Sequence, residues 1–185
     1  MPNKLLAATE ERMKKALEAT RRELAGIRSG KASPALLDLV RVEAYGQEVP
    51  LQQVGSVTAP EPRLLVVQPW DKSLVKAIAR GIQLAELGLN PTDDGVVVRV
   101  PIPTLTEERR RDLVKLVSKL AEEGRVHIRQ VRHDVNKDVK AKEGTGEFSE
   151  DDAKRLVAEI QKLTDRYIGL VDEMLKKKTA EVMEV

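Results

Sequence analysis

Leu120-Ala121-Glu122-Glu123-Gly124-Arg125-Val126-His127-Ile128-Arg129-Gln130-Val131-Arg132-His133-Asp134-Val135-Asn136-Lys137-Asp138-Val139-Lys140 contains no proline and repeats its apolar or small residues at three- and four-residue steps. Leu113, Leu116 and Val117 extend the same seam backward, so one buried helix face runs from about Thr106 to Lys142. At 1.5 Å per residue such a helix is roughly 55 Å long, several times an ordinary globular helix. Beside the seam, Arg125, Arg129, Arg132, Asn136 and Lys140 fall in a sector about 80° wide. Asp134 and Asp138 project from the other side. A ridge of cations on a stiff helix suits a polyanion such as RNA or DNA. The same stripe is also what a solvated helix face looks like, so it leaves both readings open.

Two further long helices follow the same grammar. Residues 3–28 carry Leu6, Met13, Leu17, Leu24 and Ile27 on one face, with Thr20 in the skipped position. Residues 150–183 carry Leu156, Ile160, Leu163, Tyr167, Leu170, Val171 and Met174 at heptad-like steps. Gly144 and Gly146 stop the middle helix, and Ser149 caps the last, whose Glu150, Asp151 and Asp152 favour the positive helix start. Three such rods predict a slender bundle.

Residues 31–105 read differently. Leu39 to Tyr45 alternates as a strand, turns at Gly46-Gln47 and returns through Val49 to Val54. Arg63 to Val67 is a continuous apolar strand. Asp71 opens a short helix with Leu74, Val75, Ile78 and Ile82 on one face, ending near Gly88. Asn90-Pro91 and Asp93-Asp94-Gly95 are turns, and Val96 to Val100 is another strand. The fold class is therefore α+β: an elongated three-helix bundle (1–29 with 106–185) and a small α/β domain (30–105) inserted between the first two long helices. The joints, Ser29-Gly30-Lys31-Ala32-Ser33-Pro34 and Pro101-Ile102-Pro103-Thr104, form a two-connection neck. Such a neck permits bending about one axis while resisting free tumbling. Two ordinary short loops are the plainer alternative.

Composition narrows the function. Of 185 residues, two are tyrosine, one tryptophan and one phenylalanine, so there is no aromatic platform for stacking single-stranded bases. Nucleic-acid contacts would go to phosphates and shape. There is no cysteine, hence no disulfide or thiolate metal site. No apolar run approaches the roughly 18 residues of a membrane span. The N-terminal residues are charged and amphipathic rather than signal-like, so the cytoplasm is the expected compartment. The net charge of +2 hides a polarity. Residues 106–142 hold eleven bases and seven acids, whereas 143–185 hold seven bases and eleven acids.

Catalytic motifs fail on inspection. Gly26-Ile27-Arg28-Ser29-Gly30-Lys31 has three residues between its glycines where a P-loop needs four, is followed by Ala32, and comes after a helix rather than a strand. His127 and His133, six apart, diverge on a helix and have no carboxylate at metal-binding spacing. Neither sits near a plausible nucleophile. Acid pairs such as Glu107-Glu108 read as helix-end residues. No enzyme, cofactor or metal is expected.

Three stretches carry a resemblance. They are Ile27 to Asp38 (Ile-Arg-Ser-Gly-Lys-Ala-Ser-Pro-Ala-Leu-Leu-Asp), Asp94-Gly95 through Pro101-Ile102-Pro103-Thr104-Leu105-Thr106-Glu107-Glu108-Arg109-Arg110, and Val126 to Asn136. In these, and in the order and size of its parts over the whole length, the chain resembles the bacterial ribosome recycling factor family. His133 stands where that family usually has a second arginine. Lys31 replaces the commoner arginine, keeping the charge and losing the planar fork. The resemblance implies an L-shaped, two-domain monomer without cofactor, whose bundle lies on ribosomal RNA of the large subunit. It further implies that, with elongation factor G and GTP hydrolysis on that partner, the protein splits post-termination ribosomes; neither DNA nor membrane is a partner. On this reading Arg132, Arg129, Arg28, Arg110, Arg109 and Arg125 contact RNA phosphates, and Gly30, Lys31, Pro101 and Pro103 shape the hinge. The alternative is a coiled-coil scaffold that binds a protein through its helical seam. A third possibility, an enzyme housed in the insert, has the least behind it.

Overall fold

The computed structural model describes residues 2–184, which fall into two compact units, one within Met1–Ser29 and Glu107–Val185, the other Gly30–Thr106. The first unit is built from helices α1 (Pro2–Ala25), α3 (Glu107–Gly144) and α4 (Glu150–Met183). Each helix packs against the other two. Met13 and Leu17 of α1 meet Ala121, Ile128, Val135 and Val139 of α3 and Leu156, Ile160, Tyr167 and Val171 of α4 in one buried seam. Burying each large aliphatic side chain contributes about 1.5–3 kcal/mol, which is why the heptad-like spacing decides the packing. The seam also holds three buried threonines. The hydroxyls of Thr9, Thr20 and Thr164 donate to the carbonyls of Leu5, Ala16 and Ile160 at 2.7, 3.0 and 2.8 Å, so none is left unsatisfied.

Both ends of the α3–α4 connection match the expected chemistry. The chain reverses between Gly144 and Ser149, with the amides of Glu147 and Phe148 donating to the Lys142 carbonyl. The Ser149 hydroxyl accepts from the Asp152 amide at 3.1 Å, and three acids occupy the first turn of α4. α1 ends three residues before the expected Arg28.

The second unit holds a hairpin, a four-stranded antiparallel sheet and helix α2 (Val75–Leu84). The hairpin pairs β1 (Arg41–Ala44) with β2 (Gln47–Pro50), Ala44 opposite Gln47. Its two-residue turn is therefore Tyr45-Gly46, one residue earlier than the sequence suggested, with φ of 52° and 79°. Strand order in the larger sheet is β3 (Gly55–Glu61), β4 (Leu64–Pro69), β6 (Val98–Pro101), β5 (Thr92–Asp93). α2 buries Val75, Ile78 and Ile82 on a core that includes Leu37, Val42, Leu65, Val67, Val98 and Val100. The α+β class is thus as expected. Two of the strands, β3 and β5, lie where the sequence showed only a return strand's end and a turn.

Candidate functional site

The charged face of α3 is set by its two neighbours. On the side toward α1, Asp134 accepts from Arg12 at 3.0 Å and from Gln130 at 2.8 Å. Those two bonds, the amide first, hold its carboxyl below the usual carboxylate range. The acid is thereby matched within the bundle.

On the side toward α4 the cations differ from one another. Arg125 is only 18% exposed and bridges two helices, reaching Glu122 at 2.8 Å and Asp172 of α4 at 2.7 Å. Its bond to Glu122 leads the interactions that raise its pKa. Arg129 is 43% exposed and shares Glu122, at 2.9 Å. The two guanidiniums together keep the Glu122 carboxyl ionised well below its ordinary range. Among the described residues Arg132 donates only to the neutral Gln161 Oε1 of α4, at 3.2 Å. Among the described residues no carboxylate pairs with Arg132 or with the exposed Lys140. Between them, the Asn136 Oδ1 is buried without a hydrogen-bond partner. Neutralisation therefore fades along the stripe from Arg125 to Lys140.

Arg125 consequently leaves the set of anion-binding candidates. A guanidinium already clasped by two carboxylates has little positive potential to offer a phosphate, and releasing it would leave Asp172 without its cation. The sequence alone did not reveal this, because Asp172 lies 47 residues away. Arg129 and Arg132 retain open charge. At the start of α3, Arg109 is exposed, and Arg110 is half-buried with an Nε that has no hydrogen-bond partner. Arg28, just beyond α1, is exposed. The adjacent Ser29 hydroxyl donates to Glu181 of α4 at 2.6 Å.

The four neck residues fare unequally. Gly30 has φ of 81°, and a Cβ there would lie 3.1 Å from Leu105 Cγ, so the two connecting segments touch at that point. Lys31 and Pro103 are exposed. Pro101, by contrast, is the last residue of β6 and sits opposite Leu64 in the ladder. The amides of Ala32 and Ile102 donate to the carbonyls of Pro62 and Arg63 at 2.7 and 2.8 Å. Both connections are thus pinned to the same β3–β4 turn, and Pro101 belongs to the sheet rather than to a pliable joint.

Trp70 and Tyr45 are largely exposed on the small unit, with the Tyr45 hydroxyl donating to Asp71. The ridge itself carries no aromatic. His127 and His133 are exposed, and among the described residues no group of histidine and carboxylate ligands could hold a metal. No described helix is long and apolar enough to cross a membrane.

The ribosome recycling factor family model matches residues 20–183. The ribosome-recycling factor of Symbiobacterium thermophilum is 55% identical over 185 residues, spanning all of both chains. That of Rubrobacter xylanophilus is 55% identical over 180 residues, 97% of each. A solution structure of the ribosome recycling factor superposes with a TM-score of 0.75 at 42% identity, covering 100% of this chain and 98% of that one. A second match has a TM-score of 0.64 at 47% identity and full coverage of both chains. It comes from models for the T. thermophilus ribosome recycling factor and the E. coli elongation factor G bound to the E. coli post-termination complex.

Proposed function

The chain belongs to the ribosome recycling factor family, and from that premise we propose that it binds the large ribosomal subunit after termination and, with elongation factor G and GTP, splits the ribosome into subunits. It acts as a translation factor and not as an enzyme, in keeping with that family. Its place of action is the cytoplasm, where ribosomes are met. The partner is suggested by the related factor in complex with elongation factor G on the post-termination ribosome.

The observation that carries the RNA-binding face is the state of Arg132. Its guanidinium is held on a 38-residue helix and engaged by one neutral amide at 3.2 Å. A charge so held needs no internal ion pair to be broken before it meets a phosphate. Arg129, Arg110, Arg109 and Arg28 extend the same anionic contact toward the neck. The scaffold alternative requires an open apolar seam, whereas the seam of these three helices is buried in their own core. The hinge is narrower than the sequence suggested. It comprises Gly30-Lys31 and Pro103-Thr104, because Ala32 and Ile102 are already bonded to the sheet.

The test is Arg132→Ala in the full chain, with binding to purified large subunits measured across a range of salt. Removing a single phosphate-binding cation makes the slope of log affinity against log salt shallower by about 0.7–0.9. The melting temperature should stay within experimental error, since the substitution deletes one exposed hydrogen bond to an amide. Arg125→Ala should do the reverse, lowering the melting temperature with a smaller effect on the salt slope. Unchanged affinity and slope in Arg132→Ala would remove Arg132 from the RNA face.

A further inference from the structure

Gln161 has both ends of its side-chain amide engaged. Its Oε1 accepts from Arg132 Nη1 at 3.2 Å, and its Nε2 donates to Asp165 Oδ1 at 2.8 Å. Asp165 lies one turn further along α4, and among the described residues no cation pairs with it. The result is a three-member relay, guanidinium to amide to carboxylate, in which the carboxylate never touches the guanidinium. The amide has two distinguishable ends. Because the Asp165 carboxylate accepts only, it takes the NH2 end and so turns the oxygen toward Arg132.

The same helix pair supplies its own contrast. Where α3 presents Arg125, α4 answers with Asp172, and the two form a bridge at 2.7 Å that consumes the charge. Where α3 presents Arg132, α4 answers with an amide of nearly a glutamate's size and shape but without its charge. A glutamate at that position would meet Arg132 as an ion pair, and Arg132 would then resemble Arg125.

We propose that Gln161 is a positioning residue for the RNA-binding face: a neutral spacer that aims Arg132 outward and keeps Asp165 from neutralising it. This rests on the reading of Arg132 as a phosphate ligand. The spacer lowers the cost of binding in two ways. It restricts the rotamers of a long side chain before the ligand arrives, and it leaves the positive potential intact.

The experiment uses the full chain and purified large ribosomal subunits. Binding is measured against salt, and melting temperature is measured alongside, for Gln161→Glu, Gln161→Met and Arg132→Ala. Gln161→Glu should weaken binding roughly tenfold, as loss of one hydrogen-bonded charge does, and should make the salt slope shallower by about 0.7–0.9 although Arg132 is still present. Its melting temperature should stay close to the parent's, the new ion pair with Arg132 offsetting the repulsion between the new carboxylate and Asp165 one turn away. Gln161→Met keeps the length of the side chain without either hydrogen bond. It should weaken binding several-fold and make the salt slope shallower, since the charge is unaimed and Asp165, no longer held by the amide, is free to neutralise it. If both Gln161 variants bind like the parent while Arg132→Ala does not, the spacer is refuted and the arginine site stands. If Arg132→Ala also binds like the parent, the underlying reading is refuted as well. Variants of Gln161 that melt earlier with affinity and slope unchanged would make the residue a packing element only, which equally overturns the proposal.

Discussion

Gly124 lets α1 and α3 approach closely, and substituting it measures what that approach is worth. A Cβ built there would lie 2.4 Å from Thr20 Oγ1, 2.9 Å from Thr20 Cγ2 and 3.2 Å from Thr20 Cβ. Rotating Thr20 exchanges its two branches without moving Cβ. Its hydroxyl is also held to the Ala16 carbonyl at 3.0 Å, and Thr20 is only 2% exposed. The clash can be relieved only by separating the helices. Overpacking of this kind costs about 1–3 kcal/mol. Against it stands the gain of roughly 1 kcal/mol from replacing a mid-helix glycine with alanine. The net expectation for Gly124→Ala is a loss of about 1–2 kcal/mol, taking the clash toward the upper end because backbone-proximal atoms are involved.

Thermal unfolding followed by far-ultraviolet circular dichroism reads this directly, since the three long helices dominate that signal. For a unit of roughly a hundred residues, where each kcal/mol shifts the midpoint by about 4–8 °C, the loss corresponds to a fall of about 4–16 °C. Thr20→Ala should lower stability alone, through the void it leaves opposite Gly124, yet restore much of the loss when combined with Gly124→Ala. The coupling in the double-mutant cycle should reach about 1–2 kcal/mol in the compensating direction. A stability increase of roughly 1 kcal/mol in Gly124→Ala would mean that propensity acts unopposed. Together with zero coupling to Thr20, that result would refute the close approach as a determinant of the bundle.

Two perturbations test the small unit, one at the β5–β6 turn and one at a joint. The Asp94 carboxylate accepts from the amides of Val96 and Val97 at 2.9 and 2.8 Å and from Arg99 at 2.6 Å, contacts that depress its pKa strongly. A depressed carboxyl stabilises above its ordinary pKa near 3.8 and loses that contribution as pH falls toward its folded value. The stability gap between the parent and Asp94→Asn should therefore be constant at neutral pH and close below about pH 4 in chemical denaturation; a gap independent of pH would discount those bonds. Gly30→Ala places a side chain at φ 81° and 3.1 Å from Leu105 Cγ. It should destabilise by about 1–2 kcal/mol, seen as faster amide exchange along β4 and β6, and exchange at parental rates would show the strand ends indifferent to the joint.

How much of this was legible in the sequence depended on what each element is held by. The long helices were readable because a 3.6-residue seam is a local signal repeated over many turns, and Ser149 and the surrounding acids marked one end within a few residues. The strands were readable where one face is buried, as in β1 and β4. β3 was invisible for the converse reason. It is an edge strand whose residues after Val57 are exposed, and its Pro60 lies in the stretch between Thr58 and Glu61 where the register shifts. β5 is two exposed residues defined only by pairing with β6. The hairpin turn falls one residue earlier than its glycine suggests because Tyr45 adopts a positive φ that its residue type rarely takes. Both β3 and β5 owe their existence to a partner strand, which no local pattern encodes.

The arginine stripe shows the same limit on the functional side, and it shows how to move past it. Periodicity correctly placed Arg125, Arg129 and Arg132 on one face, but a cation's capacity for an outside anion is a property of the pair of helices that frame it. α4 is the more acidic helix, and its acids are not spread evenly against α3. Asp172 consumes Arg125, while Asp165 is held off by an amide and leaves Arg132 charged. On the opposite flank, Arg12 of α1 removes Asp134 from competition. A helical ridge in a bundle is therefore better judged by subtracting, turn by turn, the carboxylates that the neighbouring helices bring within reach than by counting its own basic residues. Applied to α3, that subtraction shifts the proposed anion-binding stretch toward Arg129, Arg132 and Lys140, and it does so without reference to any relative of the chain.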